Sequence, residues 1–212
     1  LRTIVHPTMT TQQKMEILSK NVNLKNVKGT SVSDSKSFIG EKIQGYLMQS
    51  LFQSFNTCTF MDIGGGNGDL MHSFSQTMHL PKEQLYSVES VDEWSEPYTF
   101  PFADEMQYLV FNDLSLDVKD SSVDVLFLMV TLHHMTDETM HALMAVLERV
   151  AKPNALVMVK EHDCQTREDQ FVIDWEHHLY HLSKSRSRSS TDVSEYLEKK
   201  YIGNFKPKEY FD

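Results

Sequence analysis

The chain has 212 residues, 40% of them hydrophobic, which is enough to bury a core in one domain with an appendage. Twenty basic residues against thirty acidic ones give a formal net charge of −10. This balance excludes a general electrostatic attraction to nucleic acid or to anionic membranes. The two cysteines, Cys58 and Cys164, are too few for a disulfide framework and lack the spacing of a zinc site.

No apolar run reaches the roughly 18 residues that span a bilayer, and the N-terminus lacks the apolar core of a signal peptide. The composition therefore predicts a cytoplasmic protein with no membrane partner. The first residue is Leu1 and not Met. We interpret this as an excised domain, with other domains of a larger polypeptide expected.

Apolar periodicity predicts an N-terminal helical segment over 1–54, with helices at 11–20 and 35–55. Beyond it, apolar runs alternate with helical patterns. Such runs predict strands that are buried on both faces, so we expect an α/β fold, a Rossmann-like doubly wound sheet that is mostly parallel. The core is expected over 55–165, and a helical lid with a basic C-terminal segment over 166–212. The predicted strands are 58–63, 84–90, 107–113, 122–134 and 154–163, and the predicted helices are 68–78, 136–152 and 167–183.

Half of the chain's eight glycines lie in "FMDIGGGNGDL", residues 60–70, between the first core strand and a helix. Glycine provides positive φ and lets the backbone approach a ligand closely. The pattern that starts at Asp62 is D-x-G-x-G-x-G, which differs from the G-x-G-x-x-G of dinucleotide folds. It resembles motif I of the class I methyltransferases that use S-adenosylmethionine.

This resemblance covers about residues 55 to 163 and implies S-adenosylmethionine as cofactor, with S-adenosylhomocysteine as product. It places Glu89, which ends the second strand, on the ribose hydroxyls, because a carboxylate can accept both. Asn112 or Asp113, with Asp113 the better match, would meet the adenine amino group. The implied cofactor-binding residues are Asp62, Gly64, Gly65, Gly66, Gly68, Glu89, Asn112, Asp113 and Val130.

Acceptor-side residues should follow the fourth and fifth strands, where His133 and Glu161 lie. Neutral imidazole can take a proton or bind substrate, although one histidine of the "HH" pair could simply pack and the other cap a helix. The catalytic candidates are Lys160, Glu161, His133 and Lys42, and the substrate-binding candidates are His134, His162, Trp175, His177 and Tyr180. No metal is expected, because H-E-x-x-H is absent.

Two lysines resemble those of RNA ribose 2'-O-methyltransferases: Lys42 on a helix before motif I, and Lys160 at the end of strand five. The aspartate that this family has after strand four is missing from "VTLHH". The basic stretch "SKSRSRSS", at 183–190, could bind phosphates or form a flexible loop.

The ending of strand four instead resembles small-molecule enzymes and cap guanine-N7 enzymes. We therefore expect a methyltransferase acting on RNA, at cap guanine-N7 or ribose 2'-O, within a viral polyprotein. A small-molecule methyltransferase is the alternative, and a catalytically inactive binding subunit of the same fold is a further one. The C-terminal hairpin of the class I fold is not recognisable, so the C-terminus is expected to be truncated or atypical.

Overall fold

The computed structural model divides the chain into two compact units, Thr30–Glu161 and a second formed by Leu1–Gly29 with His162–Asp212. The helices predicted at 11–20 and 35–55 lie almost entirely outside the described residues, and so does most of the basic stretch at 183–190. The structure describes residues 57–90, 100–111, 115–184 and 202–211, with Thr10, Gln13, Lys42, Glu195, Leu197 and Glu198.

Five strands and two of the three long described helices belong to the unit Thr30–Glu161. In chain order the elements are β1 (Phe60–Ile63), α1 (Asp69–Met78), β2 (Leu85–Ser90), β3 (Gln107–Phe111), β4 (Val123–Met129), α2 (Asp137–Val150), β5 (Ala151–Lys160) and α3 (Arg167–Lys184).

The five strands form one parallel sheet in the order β3-β2-β1-β4-β5. The chain winds from β1 outward to β3 and then returns to place β4 on the other side of β1. The carboxyl ends of β1 and β4 are therefore neighbours at the point where the winding reverses. Ligands of open parallel sheets bind at such a point. The predicted Rossmann-like class of fold is confirmed.

Each face of the sheet carries its own apolar core because successive strand residues point to opposite sides. On one face, Met61 and Leu128 pack with the buried side of α2, which includes Leu143 and Leu147. On the other face, the three rings of Phe60, Phe74 and Phe127 pack together, with centroids 5.4 to 6.4 Å apart. All four residues of β1 are buried, which explains why its sequence is a continuous apolar run apart from Asp62.

Two predicted boundaries were wrong. Strand four was predicted to reach His134, but β4 ends at Met129 because Val130 takes a φ of 58°, outside the extended region. Strand five was predicted to begin after Pro153, but β5 starts at Ala151 directly after α2. Thr136 caps α2 by accepting a hydrogen bond from the Thr139 amide.

The second unit contains α3, in which the half-buried rings of Phe171 and Trp175 stack with centroids 6.4 Å apart. His178 is the buried polar residue of this helix, and its Nδ1 contacts the Asp174 carbonyl at 2.6 Å. No described helix is long and apolar enough to cross a membrane. A C-terminal β-hairpin is not among the elements of the described residues.

Candidate active site

The glycine turn after β1 has left-handed backbone angles, which glycine adopts readily and other residues do not. Gly64, Gly66 and Gly68 have φ angles of 71°, 59° and 86°. The amides of Gly64 and Gly65 both donate to the Val88 carbonyl of β2, at 2.8 and 3.1 Å. The turn is thereby fixed to the neighbouring strand before the chain enters α1.

The same glycines are needed for close packing beneath the turn. A Cβ on Gly64 would lie 2.1 Å from the hydroxyl oxygen of Thr131, and one on Gly65 would lie 2.3 Å from that of Ser87. Asp62, 2% exposed at the end of β1, lies beside Ser87 in register. Thr131 and Ser87 therefore shape the floor of the turn. Sequence reasoning missed both, because small hydroxyl residues beside a strand carry no distinctive signal.

Glu89, at the end of β2, extends its carboxylate to the turn. Its Oε2 accepts a hydrogen bond of 2.8 Å from the Gly66 amide. A carboxylate held against a glycine turn at the carboxyl edge of the sheet fits a ligand with adjacent hydroxyls, such as the ribose of S-adenosylmethionine. Asn112 and Asp113, predicted to meet the adenine, lie outside the described residues.

The segment after β4 is held in a tight, strained turn. Val130 is β-branched yet has a φ of 58°, a conformation that costs about 1–3 kcal/mol and occurs mostly at functional sites. Its amide donates to the Lys160 carbonyl at 2.7 Å. The turn Leu132–His134 follows directly. The switch point is thus formed by Gly64 on one side and by Val130 and Thr131 on the other.

Glu161, the residue after β5, holds this turn through three hydrogen bonds. Its Oε1 accepts from the Thr131 and Leu132 amides, each at 2.7 Å, and its Oε2 lies 2.7 Å from Nδ1 of His133. Burial alone would raise the pKa of Glu161, but the His133 hydrogen bond and charge and the two amides together lower it. Glu161 is therefore ionised at neutral pH and acts as an acceptor.

The ionised carboxylate determines the tautomer of His133. Because a carboxylate only accepts, Nδ1 must carry the proton that it shares with Glu161, and in the neutral form of the ring Nε2 carries the lone pair. The two side chains are only 1% and 7% exposed, so water is kept from the pair. An imidazole oriented by a buried carboxylate is an arrangement suited to proton transfer.

The two lysines predicted as catalytic candidates are exposed, whereas the side chains of His133 and Glu161 are buried. Lys42, a catalytic candidate before motif I, is exposed. Lys160 is also exposed, and it contributes its backbone carbonyl to Val130. His134 is exposed next to His133, with ring centroids 4.1 Å apart.

The other substrate-binding candidates belong to the second unit. There the rings of His162, His177 and Phe205 pack edge-on against one another, with centroids 5.6 to 5.8 Å apart. Nδ1 of His177 contacts the Ile173 carbonyl at 2.9 Å. Trp175 is half-buried on α3, and the side chain of Tyr180 lies outside the described part of the helix. Their roles remain predictions.

Replacing Glu161 with Gln is expected to lower the free energy of unfolding at pH 7 by about 1.5–3 kcal/mol, because the amide nitrogen cannot accept and one buried donor loses its partner. Since the folded-state pKa of Glu161 is lowered, its contribution is complete above the unfolded value of about 4.3 and is lost as the pH falls through the folded value. Urea unfolding of both proteins at pH 7 and at stepwise lower pH would measure this. A difference in the free energy of unfolding between the two proteins that stays constant at the lowest pH would contradict this prediction.

Comparison with known proteins gives a family match inside the sheet unit. Residues 61–159 match the model of a methyltransferase domain. No curated protein matches the chain. Among solved structures, a candidate O-methyltransferase from Nostoc punctiforme is 12% identical, with a TM-score of 0.51 over 95% of this chain and 51% of the other. The YcgJ protein from Bacillus subtilis is 17% identical, with a TM-score of 0.50 over 77% and 66%.

A third structure, a SAM-dependent methyltransferase from Archaeoglobus fulgidus, is 10% identical, with a TM-score of 0.49 over 80% of this chain and 90% of the other. The chain spans 65% and 45% of the length of two further similar structures. At these sequence identities the similarity establishes the fold alone. It does not establish the substrate of the whole protein.

Proposed function

We propose that this chain, whose residues 61–159 match a methyltransferase domain, is a class I S-adenosylmethionine-dependent methyltransferase that methylates a hydroxyl group of a small molecule. The observation that carries this proposal is the 2.7 Å hydrogen bond between His133 and Glu161 in a water-poor turn at the switch point. A small-molecule acceptor is the alternative to RNA that the sequence left open.

S-adenosylmethionine is the methyl donor and supplies a methyl group that is already activated on its sulfonium. The glycine turn and Glu89 are the residues that would hold it, through backbone contact and the ribose hydroxyls. The remaining task of the protein is to position the acceptor atom and, where that atom carries a proton, to remove it.

In this proposal, His133 removes the proton from the acceptor atom. With Nδ1 bonded to Glu161, Nε2 takes the proton of the acceptor hydroxyl, and the carboxylate stabilises the imidazolium that forms. An acceptor such as guanine N7 carries a lone pair and no proton, so the pair would then only hold the turn after β4. The hydrogen bond therefore supports an acceptor whose atom must be deprotonated.

An RNA acceptor stays a prediction with less support. Both lysines that suggested it, Lys42 and Lys160, are exposed. The acidic net charge of −10 adds no general attraction for a polyanion.

The test is to incubate the purified chain with methyl-labelled S-adenosylmethionine and a panel of acceptors, followed by mass spectrometry of the products. The panel contains phenols, aliphatic alcohols, amines, carboxylates, and capped and uncapped short RNAs. We expect O-methyl products from small hydroxyl compounds. Methyl transfer to cap guanine-N7 alone would overturn the proposal in favour of the RNA alternative.

A further inference from the structure

Tyr108 of β3 reaches the glycine turn from the side opposite to Thr131. Its hydroxyl donates a 2.5 Å hydrogen bond to the Asn67 carbonyl, between the second and third positive-φ glycines. A Cβ on Gly68 would lie 2.6 Å from this hydroxyl oxygen and 2.6 Å from Sδ of Met106. The tyrosine therefore packs directly against the backbone that leads into α1.

The hydrogen bond complements the one made by Glu89. The Glu89 carboxylate accepts from the Gly66 amide, while Tyr108 donates to the carbonyl of the next residue, Asn67. Side chains from two neighbouring strands thus hold the two ends of the Gly66–Asn67 segment. The N-terminus of α1 has no side-chain cap at Gly68, so the turn depends on such contacts for its conformation.

The Tyr108 ring is itself fixed in place. Phe100 packs on it with ring centroids 4.6 Å apart. The segment that precedes β3 is fastened to α1, because Phe102 stacks on His72 at 3.9 Å and Glu105 lies 2.8 Å from the Nδ1 of His72. Burial is the main cause that raises the pKa of Tyr108, so its hydroxyl keeps its proton over the neutral range and can donate throughout it.

We propose that Tyr108 is a positioning residue for cofactor binding, which acts through the Asn67 carbonyl to keep the glycine turn in its binding conformation. It does not touch the reacting atoms. A turn that is held before the ligand arrives need not be ordered on binding, and this lowers the entropic cost of association. Loss of the hydroxyl should therefore weaken cofactor binding and leave the chemical step unchanged.

The experiment compares Tyr108→Phe with the matched control Tyr86→Phe, which removes a hydroxyl from the neighbouring strand β2. Tyr86 packs against the core on the α2 face. Calorimetry measures Kd for S-adenosylmethionine and S-adenosylhomocysteine, and thermal unfolding measures Tm without ligand. We expect both Kd values to increase about 3- to 10-fold in Tyr108→Phe and less than twofold in Tyr86→Phe, the size of one lost hydrogen bond.

A purely structural tyrosine would give a different result. The proposal is overturned if Tyr108→Phe lowers Tm while both Kd values stay within twofold of wild type, or if Tyr86→Phe weakens binding equally. Because the measurement uses the cofactor alone, it does not depend on the acceptor or on His133. Failure of this proposal is therefore distinguishable from failure of the proposed function.

Discussion

Replacing His133 with Asn is expected to lower kcat by about 10²- to 10⁴-fold while Kd for S-adenosylmethionine stays within twofold. The amide nitrogen of Asn can still donate to Glu161 in the place of Nδ1, but Asn cannot take a proton as Nε2 of the imidazole can. The loss of rate corresponds to the ordinary contribution of a general base. Steady-state kinetics with the acceptor found in the panel, together with calorimetry, would measure it.

The matched control is His141→Asn, an exposed histidine on α2, for which we expect wild-type kinetics. Chemical rescue by added imidazole would strengthen the assignment, because a small base can replace the missing one. A His133→Asn protein that retains most of its kcat would show that the imidazole only supports the turn. The proposal of a deprotonated acceptor would then lose its basis.

Replacing Gly64 with Ala is expected to lower the free energy of unfolding by about 2–4 kcal/mol and to weaken S-adenosylmethionine binding by more than tenfold. Two penalties combine: the left-handed φ of 71°, and a Cβ placed 2.1 Å from the Thr131 hydroxyl oxygen. Relief of the contact would require either the glycine turn or the turn after β4 to move. Urea unfolding and calorimetry would measure the two effects.

Two further variants separate the causes. Gly203→Ala, at an exposed position whose φ is not positive, should change stability by less than about 0.5 kcal/mol. In a double-mutant cycle, Thr131→Gly should recover part of the stability lost in Gly64→Ala, because it removes the side chain that the new Cβ meets. Strict additivity of the two substitutions would show that Thr131 is not the obstacle.

The succession of strands and helices along the chain could be predicted from the sequence because strands that are buried on both faces must be continuously apolar. β1 and β4 have this property, and α2 begins at a threonine cap. β5 is also largely apolar in sequence, but it is an edge strand on which Val157 and Val159 are exposed. The strand ends were predicted less well. Where β4 ends depends on the left-handed conformation of Val130, which is stabilised by the Lys160 carbonyl from another strand and leaves no mark in the local sequence.

The glycine turn and Glu89 could be located from the sequence for a related reason. Asp62, the glycines and Glu89 either form one continuous motif or end a strand at a fixed distance from it, so their chemistry is visible in the linear order. Tyr108 was not found in this way. An aromatic residue in a strand normally indicates core packing, and only its 2.5 Å contact with Asn67, 41 positions earlier, distinguishes it.

The sequence by itself determined the class of fold, the methyl donor and the position of the glycine turn between β1 and α1, because these depend on local periodicity and on backbone freedom within short segments. The tertiary structure decided how the turn after β4 is built. Glu161 meets His133 across 28 positions, and Thr131 packs against Gly64 because parallel pairing brings the ends of β1, β4 and β5 to one edge. Hydrogen bonds between such ends depend on register and burial, and no spacing in one segment encodes them.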